Sequence, residues 1–321
     1  MFLGGKNSNG LLFSEAINDF RIHLEATGRS ANTISNYLRS LEWLIEILYD
    51  IPLKKITSKD ISLALVEIKK SSHSVMQRSI ATMNRIICAY RVFFKWAFDS
   101  SLTISDHSIS LHLKKVYSAG AIPISFTEIG VFFKTIQHSK DPKAFRDELL
   151  FSVYAFTGIR RSEALQLRIK DYDTVSSSLL LNHTKGGSKR RQPVPSLFAE
   201  ILDRYISTIK AKGDNIKELP LFPGRYSETP LSKRQANARF EKWKRLSGIR
   251  KNLTIHSFRA GFASHLYNSS KDIIVVARAM GHRNIRTTDK YISNDPLFIY
   301  KAIEDAFGHE TTAKIFSSQI L

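Results

Sequence analysis

A chain of 321 residues, 43% of them hydrophobic, is long enough for two domains with ordinary apolar cores. Its 48 Lys and Arg against 29 Asp and Glu leave a net charge of +19, with most of the excess after residue 120, and point to a polyanionic partner. The lone Cys88 excludes an intrachain disulfide and a four-cysteine zinc site, no apolar run reaches the roughly 18 residues of a membrane span, and the Gly/Asn-rich start lacks the apolar stretch of a signal peptide.

A reducing setting, cytoplasmic and nucleoid-associated, is therefore expected, with no membrane partner. Charge by itself fits RNA, a ribosome or an acidic membrane surface as well as DNA.

The first hundred residues read as helices. Phe13, Ile17, Phe20 and Leu24 fall on one face. Ser30 is placed to cap a second helix with an apolar stripe of Ile34, Tyr37, Leu38, Leu41, Ile45 and Leu48. Thr57-x-x-Asp60 reads as a capping box for a third. A fourth is predicted from about Val75 to Phe98, burying Cys88 as a small core residue. Four helices on short loops make a bundle over residues 11–105.

From 106 to 122 the periodicity weakens and Gly120 punctuates the stretch, which reads as a linker. A second unit, residues 123–321, opens on the capping box Ser125-x-x-Glu128. Asp141-Pro142 is expected to start the next helix, with Pro at its first position, and Gly158 to end it. Between Ser178 and Pro195 the period changes and a Gly186-Gly187 turn predicts a β-hairpin. Helices resume at Ser196. The fold class is mainly α with a small β-hairpin or sheet, an α+β arrangement.

Several polar residues stand out against this frame. Thr157-Gly158-Ile159-Arg160-Arg161-Ser162-Glu163 runs from a helix end into a fresh helix start. His256 and Arg259 are three apart, hence on one helical face. His282 follows Gly281, the expected end of a helix over 272–280, and Tyr291 follows Thr287-Thr288. Cutting a phosphodiester needs a nucleophile, charge stabilisation at the phosphate and a proton for the leaving oxygen. Tyr291 suits the first role. Arg160 and Arg259 suit the second, because guanidinium forks match two phosphate oxygens and stay charged. His256 and His282 titrate near neutrality and suit proton transfer. Taken singly, each is more simply a surface arginine, a structural histidine or one of the chain's eleven tyrosines. A zinc reading of His256, His265 and His282 lacks short ligand spacings.

The order Arg, His-x-x-Arg, Gly-His, Tyr resembles the signature of the tyrosine recombinases, the phage-integrase and Xer-like family. The resemblance implies a catalytic domain over 123–321 behind an N-terminal core-DNA-binding bundle, without a separate arm-binding domain. It implies site-specific recombination through a 3′-phosphotyrosine and a Holliday junction, with Tyr291 as nucleophile and no metal or other cofactor. By the same likeness Glu163 steadies the site, and Lys185 at the hairpin tip is the general acid, with Lys189 competing for that place.

The partners so implied are double-stranded DNA at a specific site and a homotetramer on two such sites, monomeric or weakly dimeric off DNA. The tail stripe Leu297, Ile299, Ile303 and Phe307 is expected to dock on a neighbouring protomer. Backbone-contacting cations are expected at Lys54, Lys55, Arg78, Arg85, Arg91, Lys233, Arg234, Arg239 and Lys242. Two other readings share the fold: a type IB topoisomerase-like enzyme, and a catalytically silent DNA-binding regulator. Met280 before Gly-His and Phe258 inside His-x-x-Arg depart from the family's usual leucines.

Overall fold

The computed structural model describes residues 10–70, 77–116, 120–182, 189–210 and 216–282. The chain divides into two compact units, residues 1–118 and 119–321.

In the first unit, α1 (Phe13–Ala26), α2 (Ala31–Leu48), α3 (Ser58–Lys70) and α4 (Ile80–Asp99) form the bundle. The caps are those the sequence signals. Ser30 Oγ accepts from the Thr33 amide at 3.3 Å. Asp60 accepts from the Thr57 amide at 2.9 Å while Thr57 Oγ1 accepts from the Asp60 amide at 3.3 Å. The core is aromatic: Phe13 and Phe20 from α1 pack edge-on to Phe93 of α4, at 5.4 and 5.3 Å between ring centres.

Three local expectations are corrected. Helix α4 begins at Ile80, later than periodicity suggests, because Ser79 caps it through the Thr82 amide. Cys88 is half-buried and lines a surface groove with Tyr37 and Trp96 instead of filling the core. The start of the expected linker is not loose. Leu111 is buried in the bundle core, Ser58 Oγ donates to the His107 carbonyl at 2.9 Å, and Asn84 exchanges two bonds with the Lys114 backbone.

The second unit begins with α5 (Phe126–Gln137), whose Ser125/Glu128 capping box is complete. Helix α6 (Ala144–Thr157) follows. Pro142 lies ahead of it in a turn, and not at its first position, because Asp141 Oδ1 accepts from the Lys143 amide and folds the chain one step before the helix. Nearly every face of α6 is buried, which makes it the central helix of this unit. Gly158 ends it in the left-handed conformation (φ 60°) and leads into the short α7 (Arg161–Leu165).

The hairpin expectation gains a strand. β1 (Tyr172–Asp173), β2 (Ser178–Leu181) and β3 (Arg190–Pro193) form an antiparallel sheet in the order β1-β2-β3. Leu179 faces Gln192 across the second pair, and Leu181 faces Arg190. Helices α8 (Ser196–Lys210), α9 (Lys233–Leu246), α10 (Ile255–Ser270) and α11 (Ile273–Met280) complete the unit. Phe132, Phe151, Phe240 and Phe258 form one ring cluster that joins α5, α6, α9 and α10. Phe258, the departure inside His-x-x-Arg, is fully buried there and makes three of those ring contacts.

Beneath that cluster lies a buried ionic network. The Asp147 carboxylate, wholly inaccessible, accepts from Arg146, Arg239 and the Trp243 indole. Asp141 accepts from Arg239 and Lys242. Each buried charge is thereby paired and hydrogen-bonded, the condition for tolerating it.

Candidate active site

Arg160 is the residue before α7, with extended backbone (φ −70°, ψ 148°). Glu163, at the third position of α7, folds back on it. Its Oε2 accepts from the Arg160 amide at 2.8 Å and its Oε1 from Arg160 Nη1 at 2.9 Å. This is the reciprocal half of a capping box, with a guanidinium added. Glu163 is only 3% exposed, so the ion pair fixes the arginine's direction as well as its charge.

Arg259 lies on α10 and is 5% exposed. Its Nη1 donates to the Gly158 carbonyl, and its Nη2 donates to the Met280 carbonyl at 2.9 Å. The same Nη2 stands 2.8 Å from His282 Nε2. A guanidinium has donors only, so at this distance the imidazole nitrogen must accept.

The turn after α11 gathers these groups. Gly281 adopts the left-handed conformation (φ 63°), and its carbonyl receives Arg160 Nη2 at 3.5 Å. Both arginines thus reach one three-residue turn, Met280-Gly281-His282, Arg160 from the entry to α7 and Arg259 from α10. His256 sits exposed on the first turn of α10, one turn before Arg259. Two guanidinium groups and an imidazole gathered at a backbone turn suit a tetrahedral anion. Among the described residues no group of three or more His, Cys, Asp or Glu is placed to hold a metal ion.

Two expected site residues, Lys185 and Tyr291, and the tail stripe lie outside the described residues. The competing Lys189 stands exposed just ahead of β3.

The expected DNA-contacting cations separate into two groups. Lys54, Lys55, Arg85, Arg91, Lys233 and Arg234 are exposed. The others have internal partners. Arg78 lies 4.2 Å over the Trp43 ring and donates Nε to the Ile68 carbonyl. Arg239 and Lys242 belong to the Asp141–Asp147 network.

Sequence reasoning passed over Arg190. It projects from β3 to within 3.6 Å of the Glu163 carboxylate. In the run Lys189-Arg190-Arg191 nothing marks it out. Only strand parity does: Arg190 shares a face with buried Gln192, while Arg191 turns outward to Asp173 at 3.0 Å.

The second unit thus joins a helical body and a small sheet to two arginines and a histidine that converge on a Gly-His turn. The phage integrase family profile matches residues 125–297, and the phage integrase N-terminal SAM-like domain matches 17–100. The chain belongs to the phage integrase family of tyrosine recombinases. It is 29% identical to tyrosine recombinase XerA of Pyrococcus horikoshii, over 95% of this chain and 98% of that protein. Its fold matches XerH site-specific recombinase bound to a difH substrate (TM-score 0.67, 21% identity, 91% of this chain and 83% of that one). It also matches a lambda integrase tetramer bound to a Holliday junction (TM-score 0.70, 18% identity, 89% and 79%). Among the described residues no helix is long and apolar enough to cross a membrane.

Proposed function

We propose that the chain is a site-specific DNA recombinase that cuts and rejoins duplex DNA through a 3′-phosphotyrosine. The observation that carries this reading is the convergence of Arg160, Arg259 and His282 on one turn. Arg160 and Arg259 clamp the scissile phosphate. The Tyr291 hydroxyl attacks phosphorus and gives its proton to the imidazole of His256. The bond to the 5′ oxygen breaks, and Lys185 supplies that oxygen's proton. The phosphotyrosine keeps the energy of the broken bond, so the second DNA end attacks it without ATP. Guanidinium charge takes the place of a metal, so the step runs in EDTA.

The exposed cations of the N-terminal bundle suit contacts with backbone phosphates, and this unit serves as the core-DNA-binding domain. Exchange of two duplexes uses four active sites in a homotetramer, on DNA in the cytoplasm. The test is capture of a covalent protein–DNA adduct on nicked duplexes drawn from a random-sequence pool. The wild type forms the adduct. Tyr291→Phe, which lacks only the hydroxyl, forms none and binds the same duplexes within a few-fold. An adduct from the Phe variant overturns the nucleophile assignment.

A further inference from the structure

The guanidinium of Arg190 sits where a charge is expensive. Burial pulls it below its ordinary pKa, Glu163 opposes that, and the neighbouring Arg160 adds to it. Nη1 is satisfied, by Gln192 Oε1 and by the Ala279 carbonyl at 3.2 Å. Nε and Nη2 are buried without a hydrogen-bond partner. Unsatisfied buried donors on an ionised group are rare and call for a reason.

The reason lies in what Arg190 touches. Its Nη2 is 3.6 Å from Glu163 Oε2, while Arg160 Nη1 holds Oε1 of the same carboxylate at 2.9 Å. On its other side it lies against the site's turn. A Cβ at Gly281 would stand 2.6 Å from Arg190 Nε and 3.0 Å from its Cζ. Only a glycine lets this guanidinium lie so close to the backbone between Met280 and His282.

We propose that Arg190 is a positioning residue of the phosphate site, which shares Glu163 with Arg160 and braces the Gly281 turn that carries His282. This rests on the recombinase reading. Two arginines then share one buried carboxylate, and with Arg259 beside the same turn the site keeps an excess of positive charge that an arriving phosphodiester relieves.

The test uses the full chain on a nicked duplex recovered by the wild type from a random-sequence pool. Single-turnover adduct formation and duplex affinity are measured for R190M, R190K and E163Q. R190M is expected to cleave about 10- to 100-fold more slowly, the scale of a small misplacement of reacting groups, with affinity within about threefold of wild type. R190K keeps the charge but not the reach to all three partners, and falls between R190M and wild type.

The double variant E163Q/R190M is expected to be no slower than the slower single variant by more than about threefold, since both act through one carboxylate. A residue that merely stabilises the fold would lower rate and affinity together and combine multiplicatively with E163Q. Either of those results, or R190M cleaving within twofold of wild type, overturns the inference. If R190M does not fold, R190K decides by the same split: slower cleavage at kept affinity supports the role, and an unchanged rate overturns it. A wild-type protein that forms no adduct on any duplex defeats the recombinase reading itself.

Discussion

Arg259 donates to the carbonyl of Gly158, so the residue that ends α6 and the arginine at the heart of the site are directly bonded. The left-handed backbone there explains why a glycine stands immediately ahead of Ile159-Arg160. A left-handed residue turns the chain from α6 to α7 and, in turning it, presents a carbonyl to Arg259. One backbone feature therefore orients both proposed clamp residues, Arg160 by sequence and Arg259 by hydrogen bond.

Gly158→Ala tests that coupling. The left-handed conformation costs a non-glycine residue about 1–2 kcal/mol. A Cβ there would also lie 2.2 Å from the Phe262 ring, which must move. The variant is expected to lose more than about 1 kcal/mol of stability in urea unfolding. It should also form adduct more slowly than Arg161→Ala, whose guanidinium reaches Asn237 at 2.8 Å, away from the site. A wild-type unfolding midpoint and rate for Gly158→Ala would remove the coupling.

Arg259→Lys separates charge from geometry. A lysine keeps the positive charge but cannot serve Gly158, Met280 and His282 with one planar fork. Cleavage is expected to fall by on the order of 10²–10³, the usual loss for one charge-stabilising group, with duplex affinity little changed. Two buried carbonyls lose a charged donor, so stability should fall by about 1–3 kcal/mol. Rapid single-turnover cleavage by the lysine variant would show that charge alone suffices.

The elements that the sequence announces correctly are those whose signals are local. The Ser30, Thr57 and Ser125 caps, the Gly158 and Gly281 ends, and the helical faces all rest on residues within four positions of one another. The pairing of Arg160 with Glu163 is just as local, but only the family likeness places Glu163 in the site. What escaped notice depends on residues far apart in the chain. β1 is two residues long and exists only because Tyr172 meets Leu179. Arg239 and Lys242 look like a basic helix face until Asp141 and Asp147 arrive from another helix end. Arg190 looks like surface charge until register places it opposite Leu181.

Asp141 gives a stability prediction with a definite pH sign. Burial opposes its ionisation, but hydrogen bonds from Lys242, the Lys143 amide and Arg239 outweigh that and hold its carboxyl well below the usual carboxylate range. A depressed folded-state pKa contributes stability that is fully present above the unfolded value, about 4, and is lost as pH falls through the folded value. Asp141→Asn should therefore unfold at lower urea than wild type at pH 7. The gap should begin to close below about pH 4 and continue to narrow toward the folded-state pKa. A gap that is constant from pH 7 to pH 2 would mean that the carboxylate's charge is not what ties the loop before α6 to α9.

Lys185 provides the last test, because its proposed role is chemical and not positional. A 5′ alkoxide is a poor leaving group and needs a proton as the bond to phosphorus breaks. A sulfur in the bridging position leaves as a thiolate without one. Lys185→Ala is expected to lose most of its cleavage on an ordinary nicked duplex and to recover it on the 5′-bridging sulfur substrate. Arg259→Lys should stay slow on both, since charge at the non-bridging oxygens is needed whichever atom leaves. Lys189, exposed just ahead of β3, is the internal control. Sulfur rescue of Lys189→Ala in place of Lys185→Ala moves the acid to that residue. Equal impairment of Lys185→Ala on both substrates gives Lys185 a part in holding the phosphate and leaves the leaving oxygen's proton to another donor.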